Sequence, residues 1–282
     1  MESKQIQSLI RLLDDRDPFV TGRVREQLIR LGEAAVPYLI EAVQQENLRL
    51  RSVAEELLEA VHPSLLREKF RALARAGKPE EPDLESGACL IMEYGRGRAA
   101  EPERVRTTLD ELAAELKPRL HPGDTPQDTV RKLSEFLFQE QGFRGNTRNY
   151  FDPENSYLDS VLERKTGIPI TLSLVCILIG RRLDLPVGGI GLPCHFITRF
   201  GDTESPVYFD PFHGGRVLTR DACAELVQGF GLKFEDRFLT PASPRDILVR
   251  MLQNLITLYN RIHDEEKSRQ LTEYCQILLK AS

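Results

Sequence analysis

His195 and Asp210 are the residues whose types and spacing could do chemistry together. His195 is expected to open one strand and Asp210 to end the next strand of a hairpin, fifteen residues later. Neighbouring antiparallel strands can bring two such side chains side by side. A carboxylate in that position fixes the imidazole tautomer and supports its charged form, as in a nucleophile–His–Asp triad. The same spacing fits a buried histidine that hydrogen-bonds an acceptor, and on these residues alone both readings stand.

A triad needs an attacking group. The five cysteines (Cys89, Cys176, Cys194, Cys223 and Cys275) form no C-x-x-C pair and no small disulfide framework. Cys176 is expected two turns into an apolar helix, past the first turn where the helix dipole lowers a thiol pKa, so it reads as core. Cys194 adjoins His195, but consecutive strand residues point to opposite faces, so its sulfur meets the imidazole only if Pro193 kinks the chain. Thr171 and Ser173 offer hydroxyls near a helix start, and they fit caps or packing groups equally. Cys89, Cys223 and Cys275 read as structural.

The lining of such a cleft would come from nearby loops. Asn155, Ser156 and Tyr157 are candidates, with helix capping as their alternative role. Phe143 to Asn146 form a similar loop. His213 stands three residues past Asp210, on a turn that Gly214 and Gly215 would bend, either as a second polar lining group or simply exposed. No cluster has zinc-ligand spacing, no Gly-x-x-x-x-Gly-Lys string is present, and no aromatic–basic stripe suggests RNA. No metal, organic cofactor or nucleic acid is therefore expected. The Gly95-Arg96-Gly97-Arg98 segment reads as a solvated loop.

Residues 1 to about 75 read as amphipathic helices. Ile6, Leu9, Ile10, Leu12 and Leu13 fall at helical spacing, as do Val24, Leu28, Ile29 and Leu31. Asp17-Pro18 supplies a capping carboxylate followed by a proline tolerated in the first turn. An offset of 29 maps Val24, Glu26, Leu28 and Ile29 onto Val53, Glu55, Leu57 and Leu58, as stacked helix pairs would. Residues 76–83 (AGKPEEPD) read as a linker. Helices follow at about 84–94, 102–117 and 126–140, the last capped by Asp124 or Thr125. The stretch GFRGNTRNYFDPENSYL has turn composition. From Gly167, a helix with Pro169 in its first turn runs to about Leu183 and is apolar nearly all round, so it is the buried central helix. Strands are expected at 187–191, 195–200, 207–210 and 216–218, with a hairpin turn at Gly201-Asp202. Two helices around His263-Asp264 complete the chain.

The 282 residues carry 38 basic against 43 acidic side chains, which argues against a strongly basic nucleic-acid binder. A hydrophobic content of 41% is enough for a core and excludes wholesale disorder. The apolar run Leu172 to Gly180 falls far short of the ~20 residues of a membrane span. The opening MESKQIQSLIRLLDDRD mixes charge with apolar residues, unlike a secretory leader, and a cytoplasmic protein is expected.

Several strings carry a resemblance. GFRGNTRNYFDPENSYLDSVLERKTGIPITLS, LPCHF and YFDPFHGGRVLTRDAC together resemble the bacterial transglutaminase-like proteins termed invasion-regulator-like, from about Asp83 to the end of the sequence. DDRDPFV…REQLIRLGEAAVPYLIEAV resembles HEAT repeats, and RMLQNLITLYNRIHDEEKSRQLTEYCQILL resembles one tetratricopeptide unit, expected to dock on the core. The resemblance implies an α+β, papain- and transglutaminase-like core: a central buried helix packed on a small antiparallel sheet. An N-terminal α-solenoid segment would occupy residues 1–75, the core 83–240 and a helical hairpin 244–282. It also implies that His195 and Asp210 match the family's catalytic His and Asp. The family's cysteine stands about seventeen residues before the proline of a downstream turn. Counted back from Pro186, that position is Pro169, which has neither a nucleophilic atom nor an amide N–H. The resemblance also suggests glycine where Cys194 stands. The expected protein is thus a pseudoenzyme that binds a protein or peptide partner, with Asn155, Ser156, Tyr157, Pro169, Thr171 and His213 lining its cleft. The alternative is a weak amide hydrolase or acyl transferase using His195 and Asp210 with Cys194, a hydroxyl or water. No oligomeric state is indicated.

Overall fold

The computed structural model describes residues 3–76, 81–202 and 204–280, the side chain of Arg98 excepted. Residues 77–80 of the expected linker lie outside the described residues. The chain divides into two units, Met1–Ala72 and Leu73–Ser282.

The first unit is helical: α1 (Ser3–Leu12), α2 (Pro18–Leu31), α3 (Val36–Val43) and most of α4 (Leu48–Ala76). Asp17 caps α2 by accepting the Phe19 amide at 2.9 Å, and Pro18 sits in the first turn, where no partner for its missing N–H is needed. Gly32, at φ +54°, ends the helix. Ile6, Leu9, Ile10, Leu13, Val24, Leu28, Leu39, Val53, Leu57 and Leu58 form one core. Leu12 and Ile29 are exposed instead. Each is one or two residues past a buried neighbour, roughly 100–200° round its helix, so the apolar stripe is narrower than the composition suggested.

The second unit is α+β. Its centre is α9 (Pro169–Arg182), which follows α5 (Leu84–Arg96), α6 (Pro102–Leu116), α7 (Pro126–Ser134) and α8 (Leu158–Arg164) along the chain. Thr125 caps α7 in a reciprocal box with Asp128. The expected helix to residue 140 changes pitch at Glu135, where a π-turn carries the chain to Glu140. Every residue of α9 from Pro169 to Gly180 is buried, as a helix apolar all round must be. Arg182, at its end, pairs with Glu85 of α5 and Asp110 of α6.

One face of α9 meets an antiparallel sheet of β3 (Val187–Ile190), β4 (Ile197–Phe200), β5 (Val207–Asp210), β6 (Arg216–Leu218) and β7 (Pro241–Ala242). Their order is β6-β5-β4-β3-β7, with Thr198 opposite Phe209 and Asp210 opposite Arg216. Two short strands, β1 (Arg144–Gly145) and β2 (Thr166–Gly167), pair in parallel just before α9. β1, β2 and β7 are two residues each, too short to leave a periodic signal. α10 (Arg220–Gly229) covers the opposite face of the sheet through Cys223 and Val227, which join Ile190, Leu192, Ile197 and Leu218 in a second core. α11 (Pro244–Arg261) and α12 (Glu265–Lys280) pack together in this same unit, and α11 also packs on α5.

His195 differs from its expected place. β4 starts at Ile197, not at residue 195. The chain turns first, with Cys194 at φ +60° and the His195 amide donating to the Leu192 carbonyl at 3.2 Å. Among the described residues no helix is long and apolar enough to cross a membrane.

Candidate functional site

Asp210 is built into the structure from both sides. As the last residue of β5 it also caps a 3₁₀ turn at Pro211–His213, its Oδ1 accepting the amides of Phe212 (3.0 Å) and His213 (3.4 Å). Its Oδ2 is left for side chains. His195 Nε2 donates to that atom at 2.8 Å and His213 Nδ1 donates to it at 2.7 Å. The Asp210 side chain is only 2% exposed, His195 is 10% exposed and His213 is 56% exposed, so the cluster has a dry side and a wet side. Burial alone would push the Asp210 carboxyl up. The hydrogen bonds and charges of His195, and then of His213, outweigh burial and hold it below the ordinary carboxylate value.

A neutral His195 that donates from Nε2 keeps Nδ1 unprotonated, the form a general base needs. Its ring is fixed edge-on to Phe212, with centroids 6.3 Å apart, and Tyr150 stands edge-on to Phe212 at 6.0 Å. Gly145 fixes the turn from below: a Cβ there would lie 2.6 Å from the Phe212 carbonyl oxygen. Gly214 and Gly215, at φ +71° and +76°, then bend the chain into β6.

Among the described residues no thiol or hydroxyl hydrogen-bonds to His195. Pro169 is the first residue of α9 and buried, and it carries no heteroatom beyond its backbone. Cys176 is fully buried, and burial pushes its thiol up. Burial raises Cys89 to about 11 as well. Burial and then the Asp210 charge raise Cys223 to about 11, and burial also raises Cys275. Cys194 is the exposed cysteine, on the left-handed turn beside His195. Thr171 Oγ1 is engaged: it donates to the Asn155 carbonyl at 2.8 Å and accepts the Ile168 amide at 3.1 Å. Ser173 Oγ is buried without a hydrogen-bond partner.

The structure thus brings together His195, Asp210 and His213, and gives most of the other expected lining residues structural work. Asn155 is fully buried, accepting from Asn146 Nδ2 at 2.9 Å and donating to the carbonyls of Asn149 (2.8 Å) and Tyr150 (3.1 Å). It braces the 146–150 loop rather than lining an opening, and it caps no helix: Asp152 caps the 3₁₀ turn Pro153–Ser156 that holds it. Ser156 is buried too. Tyr157 is 2% exposed, with its hydroxyl 3.0 Å from that of Tyr259 and Gly95 beneath its ring, so it packs α8 against α11. The segment expected as a solvated loop ends α5 instead, and Arg96 ion-pairs with Glu154 and Asp159.

Two features escaped the sequence. Tyr150, Phe151 and Phe212 form a partly exposed aromatic wall beside the histidines, with Arg261 4.0 Å over Phe151. The other is the convergence itself. One ring nitrogen of His195, one of His213 and an Asp210 oxygen all lie within 4.8 Å of one another, a set able to hold a metal ion. A short ligand motif could not reveal it, because the hairpin, not the local spacing, closes it.

Comparison with known proteins agrees with this core. A UPF0162 protein of Xylella fastidiosa is 41% identical over 133 residues, 45% of this chain and 47% of that protein. A UPF0162 protein of Pseudomonas aeruginosa is 33% identical over 188 residues, 64% of this chain and 67% of that one. Human F-box only protein 21 is 32% identical over 133 residues, 44% of this chain but 21% of its own length. The chain thus spans about half the length of the Xylella relative it matches. No solved structure matches the chain. The family model described as the transglutaminase-like superfamily matches residues 103–253, more than half of the sequence and all of the histidine–aspartate cluster, and the chain belongs to that superfamily.

Proposed function

We propose that this is a transglutaminase-like protein without a transglutaminase nucleophile, whose cleft at His195 and Asp210 binds a segment of a partner protein. One observation carries the reading. The first turn of α9, where the resemblance expects the nucleophilic cysteine, begins with buried Pro169, and four of the five thiols are buried. The aromatic wall of Tyr150, Phe151 and Phe212 offers apolar contact to a peptide, and side chains of this kind dominate binding energetics. Occurrence of the matched region within the far longer F-box only protein 21 fits a module used for binding.

Finer assignments extend the reading. The α1–α4 helices act as HEAT-like repeats and the α11–α12 pair as a tetratricopeptide-like hairpin, both presenting partner surface, in a cytoplasmic protein of the invasion-regulator-like group. Purified protein tests the core of it. Amide hydrolysis or amine transfer on peptide substrates should be absent; turnover that disappears in His195→Ala would refute it.

A second reading, a weak amide hydrolase or acyl transferase, is favoured by the hydrogen bond from His195 Nε2 to Asp210 at 2.8 Å, which leaves a ring nitrogen free to act as base. Cys194 or water would attack. Exposure alone makes Cys194 the fastest-alkylated cysteine, so the deciding quantity is dependence on the imidazole. Slower alkylation of Cys194 in His195→Ala supports this reading, and an unchanged rate counts against it.

A further inference from the structure

We propose that His195 Nε2, His213 Nδ1 and Asp210 Oδ2 form a binding site for one divalent transition-metal ion, of which zinc is the best fit. Two imidazoles and a carboxylate are borderline donors that suit zinc, nickel and cobalt better than magnesium or calcium. Zinc takes such atoms at about 2.0–2.2 Å, which sets the donors of a tetrahedral site roughly 3.3 Å apart. The two nitrogen-to-oxygen separations here are 2.8 and 2.7 Å, so each opens by only about half an ångström around an ion.

The supporting shell is already in place. Asp210 Oδ1 is pinned by the amides of Phe212 and His213, which aims Oδ2 at the two rings. Partners of that kind orient metal-binding carboxylates. Entry comes from the wet side, where His213 is exposed, while His195 and Asp210 form a dry floor. Three protein donors with solvent on one side describe an open site, with room for water or a ligand oxygen on the ion.

The chemistry balances simply. A neutral ring frees its ligating nitrogen by carrying its one N–H on the other nitrogen, and a charged ring also releases a proton to solvent. A catalytic pair uses one imidazole, and a second one on the same oxygen is surplus to it. The metal site uses the same His195 and Asp210 atoms as both readings, but its test reads ion binding rather than turnover or peptide binding, so its failure is distinguishable from theirs.

Calorimetric titration of the full chain with Zn²⁺, and visible absorption with Co²⁺, test the site. One ion per chain is expected. His213→Ala should weaken binding by at least the roughly 10–100-fold that outer partners of metal ligands command. His213 is exposed, so that variant should fold, and His213→Gln provides a second at the same position. His121→Ala and His263→Ala should leave the affinity unchanged. No saturable binding, binding indifferent to both His213 variants, or binding lost with either control variant would each overturn the proposal.

Discussion

The imidazoles of His195 and His213 close on the same oxygen of Asp210, at 2.8 and 2.7 Å, although one ring is nearly buried and the other faces solvent. That shared oxygen makes the carboxylate the keystone of the site. Its depressed pKa has a definite sign for stability. A carboxyl whose folded value is lowered stabilises the fold above its ordinary value near 3.8, and the contribution fades as pH falls through the lower folded value. Urea unfolding from pH 7 to pH 2 should show this acid loss in the wild type. Asp210→Asn should be less stable at pH 7 and should flatten that limb of the curve; an equally steep limb in the variant would contradict the assignment.

Cys194 occupies a left-handed backbone position that the resemblance associates with glycine, and its φ of +60° gives the physical reason. A non-glycine residue pays about 1–2 kcal/mol there, against about 0.5–1 kcal/mol of extra chain entropy lost by glycine. Cys194→Gly should therefore stabilise the protein by roughly 0.5–1 kcal/mol in urea unfolding. Cys194→Val should destabilise it, because a β-branched residue is a poor fit to positive φ.

Asn155 carries three hydrogen bonds from a fully buried position. Replacement by alanine leaves two carbonyls and one amide without their partner, each costing about 1–3 kcal/mol where water cannot reach. Allowing for water at the loop end, Asn155→Ala should cost roughly 2–4 kcal/mol and raise hydrogen exchange across 146–150. A change below about 0.5 kcal/mol would mean the loop is held by something else.

Gly145 lets β1 lie against the Phe212 backbone. Overpacking of this kind typically costs about 1–3 kcal/mol, so Gly145→Ala should destabilise by that order. It should also shift the imidazole resonances of His213 and His195, because the turn that aims Asp210 must move. Unaltered imidazole resonances would show that the turn tolerates the methyl group.

Much of this was legible in the residues. The nearly all-apolar run after Gly167 marked the buried helix, and Gly201-Asp202 marked the hairpin that joins β4 to β5. The pairing of His195 with Asp210 followed from that hairpin, although His195 sits on a turn before β4, because the alternation of apolar residues says nothing about a left-handed residue next to it. The roles of Asn155 and Tyr157 were not legible. Turn composition identifies a loop, but which polar atoms it buries depends on partners such as Tyr259, about a hundred residues away. His213 was assigned to the right turn; its bond to Asp210 depended on the capping geometry at Pro211.

The central claim is that the cleft holds its imidazole and carboxylate without an attacking group. The most direct test is a turnover assay on a panel of peptide amides with an amine acceptor, comparing wild type with His195→Ala, with Zn²⁺ supplied and with it chelated. The account predicts that the two proteins are indistinguishable from buffer in both conditions. Release of ammonia or amine by the wild type, lost in His195→Ala, would contradict it.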